Sequence, residues 1–309
     1  MPIGGNQTRK KHGTIGKTNK KILQTFWTGK PIGRLERAAL QSYVNQGYIV
    51  HIYTYLPLKD FLLNLPSKKY IRVFDARTIL SEDRIFEYSG RKTGKRSDAY
   101  SFLPFSDLFR FTMLHKNGGT WIDLDVFLLR PIPASVWNQE YVFSSERTIQ
   151  KGAYKKKEPE IVDMGFIKVP SANSELTTWI LEHIPEKIDL KSPFDFMNLY
   201  RKGIETLALE KYVLSAKTFL PLNWWDVKES FSEDSGDSSI CYPSKYGVQE
   251  FCVKDLSSKG VYGIHWFRAI LRKKDLPYNT LDSRVYTNTL YEVLIQQIED
   301  DAHMNRNSL

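Results

Sequence analysis

Cysteine is nearly absent: Cys241 and Cys252 are the 2 in 309 residues. Two thiols without paired histidine or cysteine neighbours exclude an ordinary four-ligand zinc site. A disulfide between them is possible, but two reduced thiols are expected in a cytosolic chain. Long apolar runs are missing too, and none approaches the roughly 18 residues of a membrane-spanning helix. The Gly-, Lys- and Asn-rich start lacks the apolar core of a signal peptide, so the expectation is a cytosolic protein. Acid is absent where base is dense. Residues 9–21 carry Arg9, Lys10, Lys11, Lys17, Lys20 and Lys21 with no carboxylate, against a net charge of +9 for the whole chain. Lys151, Lys155, Lys156 and Lys157 form a second basic cluster. Such clusters read as solvated segments, or as contacts for an anionic membrane surface or acceptor. No nucleic-acid motif accompanies them, so nucleic acid is not an expected partner.

What is present is a regular alternation of strand and helix signals. Residues 1–19 read as a basic flexible tail, and 20–309 as a single domain without an internal linker. Lys21 to Thr28 reads as a first, mostly buried strand, closed by Gly29 and Pro31. Arg34 to Gln46 has helical period, with Leu35, Ala38, Ala39, Ser42 and Tyr43 on one face and Gly47 as its stop. Tyr48 to Tyr55 is β-branched and aromatic, hence a second strand. Strand, helix, strand in this space is a βαβ unit, which implies a parallel pair and an α/β fold. Asp98 to Lys116 reads as a helix, stopped by Gly118 and Gly119. Thr120 to Leu129 reads as one strand, ended by Pro131 and Pro133. Tyr141 to Ser145 and Met164 to Val169 are shorter strands, and Ser174 to Ile184 and Thr287 to Ile298 are helices. The Ser-rich stretch 228–240 reads as a surface loop.

Asp123 and Asp125 close the run Gly118-Gly119-Thr120-Trp121-Ile122-Asp123-Leu124-Asp125. On a strand, residues i and i+2 share a face, so both carboxylates would reach one hard divalent cation, or a cation and a sugar hydroxyl. Just upstream, Asp107 and Arg110 stand at i and i+3 of a helix and share a face. As an exposed pair they would contribute well under ~1 kcal/mol. Beside the aspartate pair they make a cluster of three carboxylates and one guanidinium.

Ser106-Asp107-x-x-Arg110 followed by Gly118-Gly119-x-Trp121-x-Asp123-x-Asp125 resembles the sugar-binding-region glycosyltransferases with a DXD motif. That group includes the family 32 enzymes of capsule, lipopolysaccharide and glycolipid assembly, and is similar to the glucosylating domains of large clostridial toxins. Ile22-Leu23-Gln24-Thr25-Phe26-Trp27-Thr28-Gly29 is similar to the same family's first strand. The resemblance covers roughly residues 20–133 and implies a GT-A type fold, a Rossmann-like mixed sheet flanked by helices. It implies retaining transfer of a hexose from a nucleotide-diphosphate sugar, with UDP-galactose or UDP-glucose ahead of GDP-mannose, assisted by Mn²⁺ or Mg²⁺. The implied acceptor is a surface glycan or glycolipid at the inner membrane face, which the basic tail would suit.

Carried onto this chain, the resemblance has Trp27 stack on the nucleotide base, with Phe26 and Thr28 lining the same pocket and Asp75 near the nucleoside. Asp107 and Arg110 would fix the hexose. Asp123 would be shared between metal and sugar, Asp125 would be the direct metal ligand, and Trp121 would lie beside the donor. Late in the chain, Gly263-Ile264-His265-Trp266-Phe267-Arg268 supplies His265 as a third metal ligand, with Trp266 closing over the diphosphate. Arg268 or Lys273 would neutralise the departing diphosphate. One departure stands out: where relatives carry an Asn-rich segment, this chain has Ile161-Val162-Asp163-Met164-Gly165-Phe166, which leaves the acceptor open. Two rival readings are a non-catalytic nucleotide-sugar or glycan-binding relative and a phosphatase with a nucleophilic Asp-x-Asp. In the phosphatase a Thr or Gly normally follows the pair, where this chain has Val126 and Phe127.

Overall fold

A computed structural model of the chain describes residues 21–28, 32–57, 65, 69–85, 103–147, 160–184, 195–242, 251–279 and 288–307. The basic tail, the cluster 151–157 and the expected helix start at 98–102 lie outside the described residues.

The expected α/β architecture is present. The parallel part of its main sheet is β1 (Ile22–Trp27), β2 (Ile49–Thr54), β3 (Ile71–Asp75) and β4 (Gly119–Ile122). Two further strands, β6 (Val142–Arg147) and β7 (Glu160–Val169), continue the sheet antiparallel. The six lie in the order β3-β2-β1-β4-β7-β6. Helix α1 (Arg34–Asn45) joins β1 to β2, as the βαβ reading required. Its buried face includes Leu35, Ala38, Ala39, Ser42 and Tyr43, the face expected from the period. Helix α2 (Leu103–Asn117) leads into β4 across the other side of the sheet. Two apolar cores result. Leu35, Ala39, Tyr43, Phe127, Trp266 and Tyr291 belong to the first, and Phe26, Tyr53, Phe109, Met113, Trp121 and Ile167 to the second.

The stop between α2 and β4 has a steric cause. Gly118 and Gly119 sit at φ +64 and +85, and a Cβ on Gly118 would stand 2.4 Å from the Ser171 carbonyl carbon. Only glycine takes that turn without strain. It delivers β4 directly beside β1, with Leu23 opposite Thr120 and Gln24 opposite Trp121.

Three expectations need correction. The strand read over 120–129 is two strands. Pairing stops at Ile122, Val126 N–H donates to the Asp123 carbonyl at 3.2 Å, and β5 (Val126–Leu128) starts a separate two-stranded sheet with β10 (Gly263–His265). Asp123 and Asp125 therefore stand on a turn and do not share a strand face. The cysteines are not free thiols. Cys241 and Cys252 are direct cross-strand neighbours in the hairpin of β8 (Cys241–Tyr242) and β9 (Phe251–Cys252), and they form a disulfide. The redox expectation could not register that pairing. Finally, 228–240 is only partly a surface loop. Phe231 is buried and stacks on Tyr291 at 4.7 Å, and Ser230 and Ser235 are buried.

Other boundaries shift, most at the last helix, expected to end at Ile298 and running to Asn307. A one-turn helix, α3 (Ala134–Trp137), precedes α4 (Glu175–Glu182) and α5 (Asp195–Thr206). A short α6 (Arg268–Lys273) and the long α7 (Leu290–Asn307) follow β10. Among the described residues no helix is long and apolar enough to cross a membrane.

Candidate functional site

The four parallel strands end along one edge, the edge where open α/β sheets hold ligands. Trp27, Thr54 and Asp75 lie side by side there by register, and Asp123 follows the last residue of β4. Most of the sequence-derived site residues gather at this edge, but Phe26 and Trp266, expected to line the donor pocket and close over the diphosphate, are buried in the two apolar cores.

Arg110 is the hub of the first group. Its guanidinium lies 3.4 Å from Asp107 Oδ1 and donates to Asp123 Oδ1 at 2.9 Å. Both Asp107 and Arg110 are buried, so the surface-pair energy does not apply. The Trp121 indole lies under the guanidinium at 4.8 Å, and its Nε1 also donates to Asp123 Oδ1, at 2.7 Å. Trp121 is 1% exposed, so its contact with the site runs through Asp123. Burial pushes Asp107 up to about 7 against the pull of Arg110, and pushes Asp123 upward as well.

Asp125 belongs to a second group, built by β10 and the segment after it. His265 Nε2 is 3.2 Å from Asp125 Oδ1, and the backbone N–H of Arg268 donates to Asp125 Oδ2 at 2.7 Å. Trp266 N–H donates to the Asp125 carbonyl at 2.8 Å. Antiparallel pairing sets this register, with His265 opposite Val126. Burial alone would raise Asp125, but His265 and the Arg268 N–H outweigh it and hold the carboxylate below its ordinary value. Burial would lower His265, but Asp125 reverses that and raises the imidazole to about 9. Trp266 itself is fully buried against Phe127, Phe231 and Tyr291.

Asp123, Asp125 and His265 each offer one ligand atom within 4.8 Å of the others. Two carboxylates and an imidazole suit a divalent cation such as Mn²⁺. The electrostatics fit as well: burial raises Asp123 and Asp125 raises His265, and a bound cation would take the place of the protons these groups favour. These observations are compatible with a divalent metal and do not identify which.

The turn that carries the pair is latched from behind. The Tyr43 hydroxyl, from α1, lies 2.7 Å from the Asp123 carbonyl and 2.8 Å from the Val126 carbonyl. On the other side, Asp123 N–H donates to the Gly165 carbonyl of β7 at 2.9 Å. Asp163, two residues before, accepts from Gly165 N–H at 2.7 Å and from Ser144 Oγ at 3.1 Å. A Cβ on Gly165 would meet Asp163 Oδ2 at 2.9 Å and His265 Nδ1 at 3.2 Å, so glycine keeps the two elements in contact. His265 Nδ1 is buried with no hydrogen-bond partner.

The nucleoside-side residues are placed as follows. Trp27 and Thr28 are half-buried at the strand end. The Arg268 guanidinium covers the Trp27 ring at 4.6 Å. Phe26 is buried and stacked on Phe109 at 4.1 Å, in the core behind the pocket. Asp75 caps the 3-10 turn Ala76–Thr78, accepting from Arg77 N–H at 2.9 Å, and pairs with the Arg77 side chain. Sequence reasoning missed two residues. Glu36 faces Arg268 at 2.7 Å, and Tyr43 holds the turn. Both lay inside a well-read helix, Glu36 at its capping position and Tyr43 on its apolar face, so each already had an ordinary explanation.

Residues 94–183 match a family model described as capsular polysaccharide synthesis protein. No curated protein matches the chain. Among solved structures, the chain is similar to the PaToxG glycosyltransferase, at 14% identity over 62% of this chain and 70% of that one, with a TM-score of 0.42. It is similar to the apo-form glycosyltransferase GlyE of Streptococcus pneumoniae TIGR4, at 10% identity over 92% and 64%, with a TM-score of 0.46. A third is a transferase solved with two cysteines replaced by serine, at 10% identity over 61% and 84%, with a TM-score of 0.37. Scores at this level establish no correspondence between residues.

Proposed function

We propose that this chain is a metal-dependent retaining glycosyltransferase of GT-A type, moving a hexose from a nucleotide-diphosphate sugar to a glycan or glycolipid acceptor. One observation carries the reading: Asp123, Asp125 and His265 converge within 4.8 Å at the ligand-bearing edge of the sheet. A buried Asp107–Arg110 pair is locked onto the same cluster. The matched stretch described as capsular polysaccharide synthesis contains Asp107, Arg110, Asp123, Asp125 and Asp163, and supports a glycan product.

Asp123, Asp125 and His265 would hold Mn²⁺ or Mg²⁺. The cation, bound with the diphosphate, would supply charge stabilisation to the leaving group. Arg110 keeps Asp123 oriented and keeps Asp107 ionisable, so the two carboxylates can accept from sugar hydroxyls in a fixed geometry. Such positioning is a large share of catalysis when little covalent chemistry falls to the protein. Trp27 would receive the base, a stacking contact of about 1–3 kcal/mol. With retention at the anomeric carbon, the leaving phosphate takes the acceptor proton on the same face, and no side-chain base is required. UDP-hexose is the donor to test first, and the basic segments are candidates for an anionic acceptor or membrane surface.

The test is a thermal-shift and donor-hydrolysis screen of nucleotide sugars with and without Mn²⁺. Stabilisation by one donor, with metal-dependent release of its diphosphate, is the expected result. Binding without turnover would favour a non-catalytic carbohydrate-binding relative. Phosphomonoester cleavage would favour a phosphatase.

A further inference from the structure

Glu36 is one of the most buried carboxylates among the described residues, at 1% exposure, on the buried face of α1 with Leu35, Ala39 and Leu40. Its two oxygens do different things. Oε2 accepts from Gly33 N–H at 2.8 Å, which caps α1. Oε1 faces Arg268 Nε at 2.7 Å, off the N–H direction, so the contact is an ion pair and not a hydrogen bond. Capping alone would not call for a buried charge, since a third-position carboxylate usually reaches back from the surface.

Arg268 explains the burial, because it touches both ends of the proposed donor site. Its guanidinium covers one face of Trp27 at 4.6 Å, and its backbone N–H donates to the metal-side carboxylate Asp125 at 2.7 Å. The preceding residue, Phe267, is held at φ 49 and stacks on His265 at 4.3 Å. That left-handed conformation is costly for an aromatic residue and turns Arg268 back across the site. The Arg268 side chain is 33% exposed, and the groups around it are Glu36, the Trp27 indole and the Tyr278 hydroxyl. Of these, Glu36 supplies the charge. Without it, the carboxylate that attracts the guanidinium is Asp125, where it would compete with a cation.

We infer that Glu36 is a positioning residue of this site: it holds Arg268 against Trp27, fixing the base-receiving ring relative to the metal-side carboxylate and keeping the guanidinium out of the cation's place. The inference rests on the glycosyl-transfer reading and adds to it the group that sets the distance between the base end and the diphosphate end.

The test uses the full chain, with uridine diphosphate or guanosine diphosphate and Mn²⁺ as probes, followed by calorimetry and tryptophan fluorescence. Glu36→Gln keeps an oxygen for the Gly33 cap and loses the charge. It should weaken nucleotide binding and raise donor KM about tenfold, equivalent to 1.4 kcal/mol, with kcat nearly unchanged. Arg268→Ala should weaken nucleotide binding by a similar factor, and the double variant no more than either single one, because both act through one contact. Arg268 is partly exposed, so that variant carries the test if Glu36→Gln does not fold. Wild-type affinity in both single variants, or additive losses in the double, would overturn the inference while leaving the function intact. A wild-type protein that binds neither nucleotide would overturn the functional reading and this inference with it.

Discussion

Arg110 Nη2 lies 2.9 Å from Asp123 Oδ1, so a buried helix residue and a partly exposed turn residue thirteen positions apart form one unit. The same guanidinium reaches Asp107 and rests on Trp121. Removing one member of a buried pair leaves the other charge uncompensated. Arg110→Ala should therefore destabilise the fold by about 3–5 kcal/mol, read by urea denaturation. Arg110→Lys should recover much of that stability without restoring activity, since an ammonium cannot reproduce the fork that spans two carboxylates. A fully active lysine variant would show that charge alone suffices.

Asp125 is tied by His265 and by the Arg268 N–H; an asparagine there keeps an oxygen to accept from the Arg268 N–H, while its NH2 can face His265 only if Nε2 becomes the acceptor. Asp125→Asn should fold and still lose transfer and donor hydrolysis by at least about 100-fold. Metal-dependent turnover near the wild-type level in that variant would remove Asp125 from the cation site.

Glu146, not itself a proposed metal ligand, offers a pH test. Burial first, and Asp163 second, raise its carboxyl from 4.5 to about 8, with Arg201 at 3.8 Å only partly opposing them. A carboxyl raised on folding favours the folded state while protonated. That contribution is complete below about pH 4.5 and is lost as pH rises through about 8. Wild-type stability should fall across this window relative to Glu146→Gln, which does not titrate. Urea midpoints that stay parallel between the two proteins from about pH 5 to 9 would count against a shifted Glu146.

Two glycines with positive φ should respond differently to alanine. Gly47 at φ +81 has open space for 4 Å around the point where a Cβ would stand, whereas Gly118 at φ +64 would drive a Cβ against the backbone of Ser171 and Ala172. Gly47→Ala should cost about 1 kcal/mol from backbone conformation alone. Gly118→Ala should cost clearly more, and should disturb the Asp123 turn that follows β4. Thermal denaturation of the two variants side by side checks the order.

The disulfide has a direct readout. Under non-reducing denaturing conditions the protein should show no thiol titre, and reduction should destabilise it by about 2–4 kcal/mol. Two titrating thiols would restore the reading that the compartment suggested.

How far the sequence could be read depended on whether a feature is local. Strand β1, helix α1 and the Gly-Gly stop were legible because hydrophobic period and backbone sterics act within a few residues. The meeting of His265 with Asp125 was expected only through resemblance, for it comes about across the antiparallel pairing of β5 with β10. The Asp123–Asp125 turn was hidden because Val126 to Leu128 is as strand-like as Thr120 to Ile122, and composition does not show that the two runs pair with different partners. The disulfide was hidden for the same reason: cross-strand adjacency of Cys241 and Cys252 is a matter of register. Glu36 and Tyr43 were masked by their own adequate local roles, as a cap and as a core aromatic.

Tyr43 has one more consequence. Its hydroxyl holds the Asp123 and Val126 carbonyls from the core side, while Gly165 holds the Asp123 amide from the neighbouring strand. A loop bearing Asp-x-Asp would lose freedom each time a ligand arrived. Here much of that loss would be absorbed once, when the chain folds, because the turn is held by the fully buried Tyr43. What a ligand at this turn would still have to order is the side-chain torsions of Asp123, Asp125 and His265.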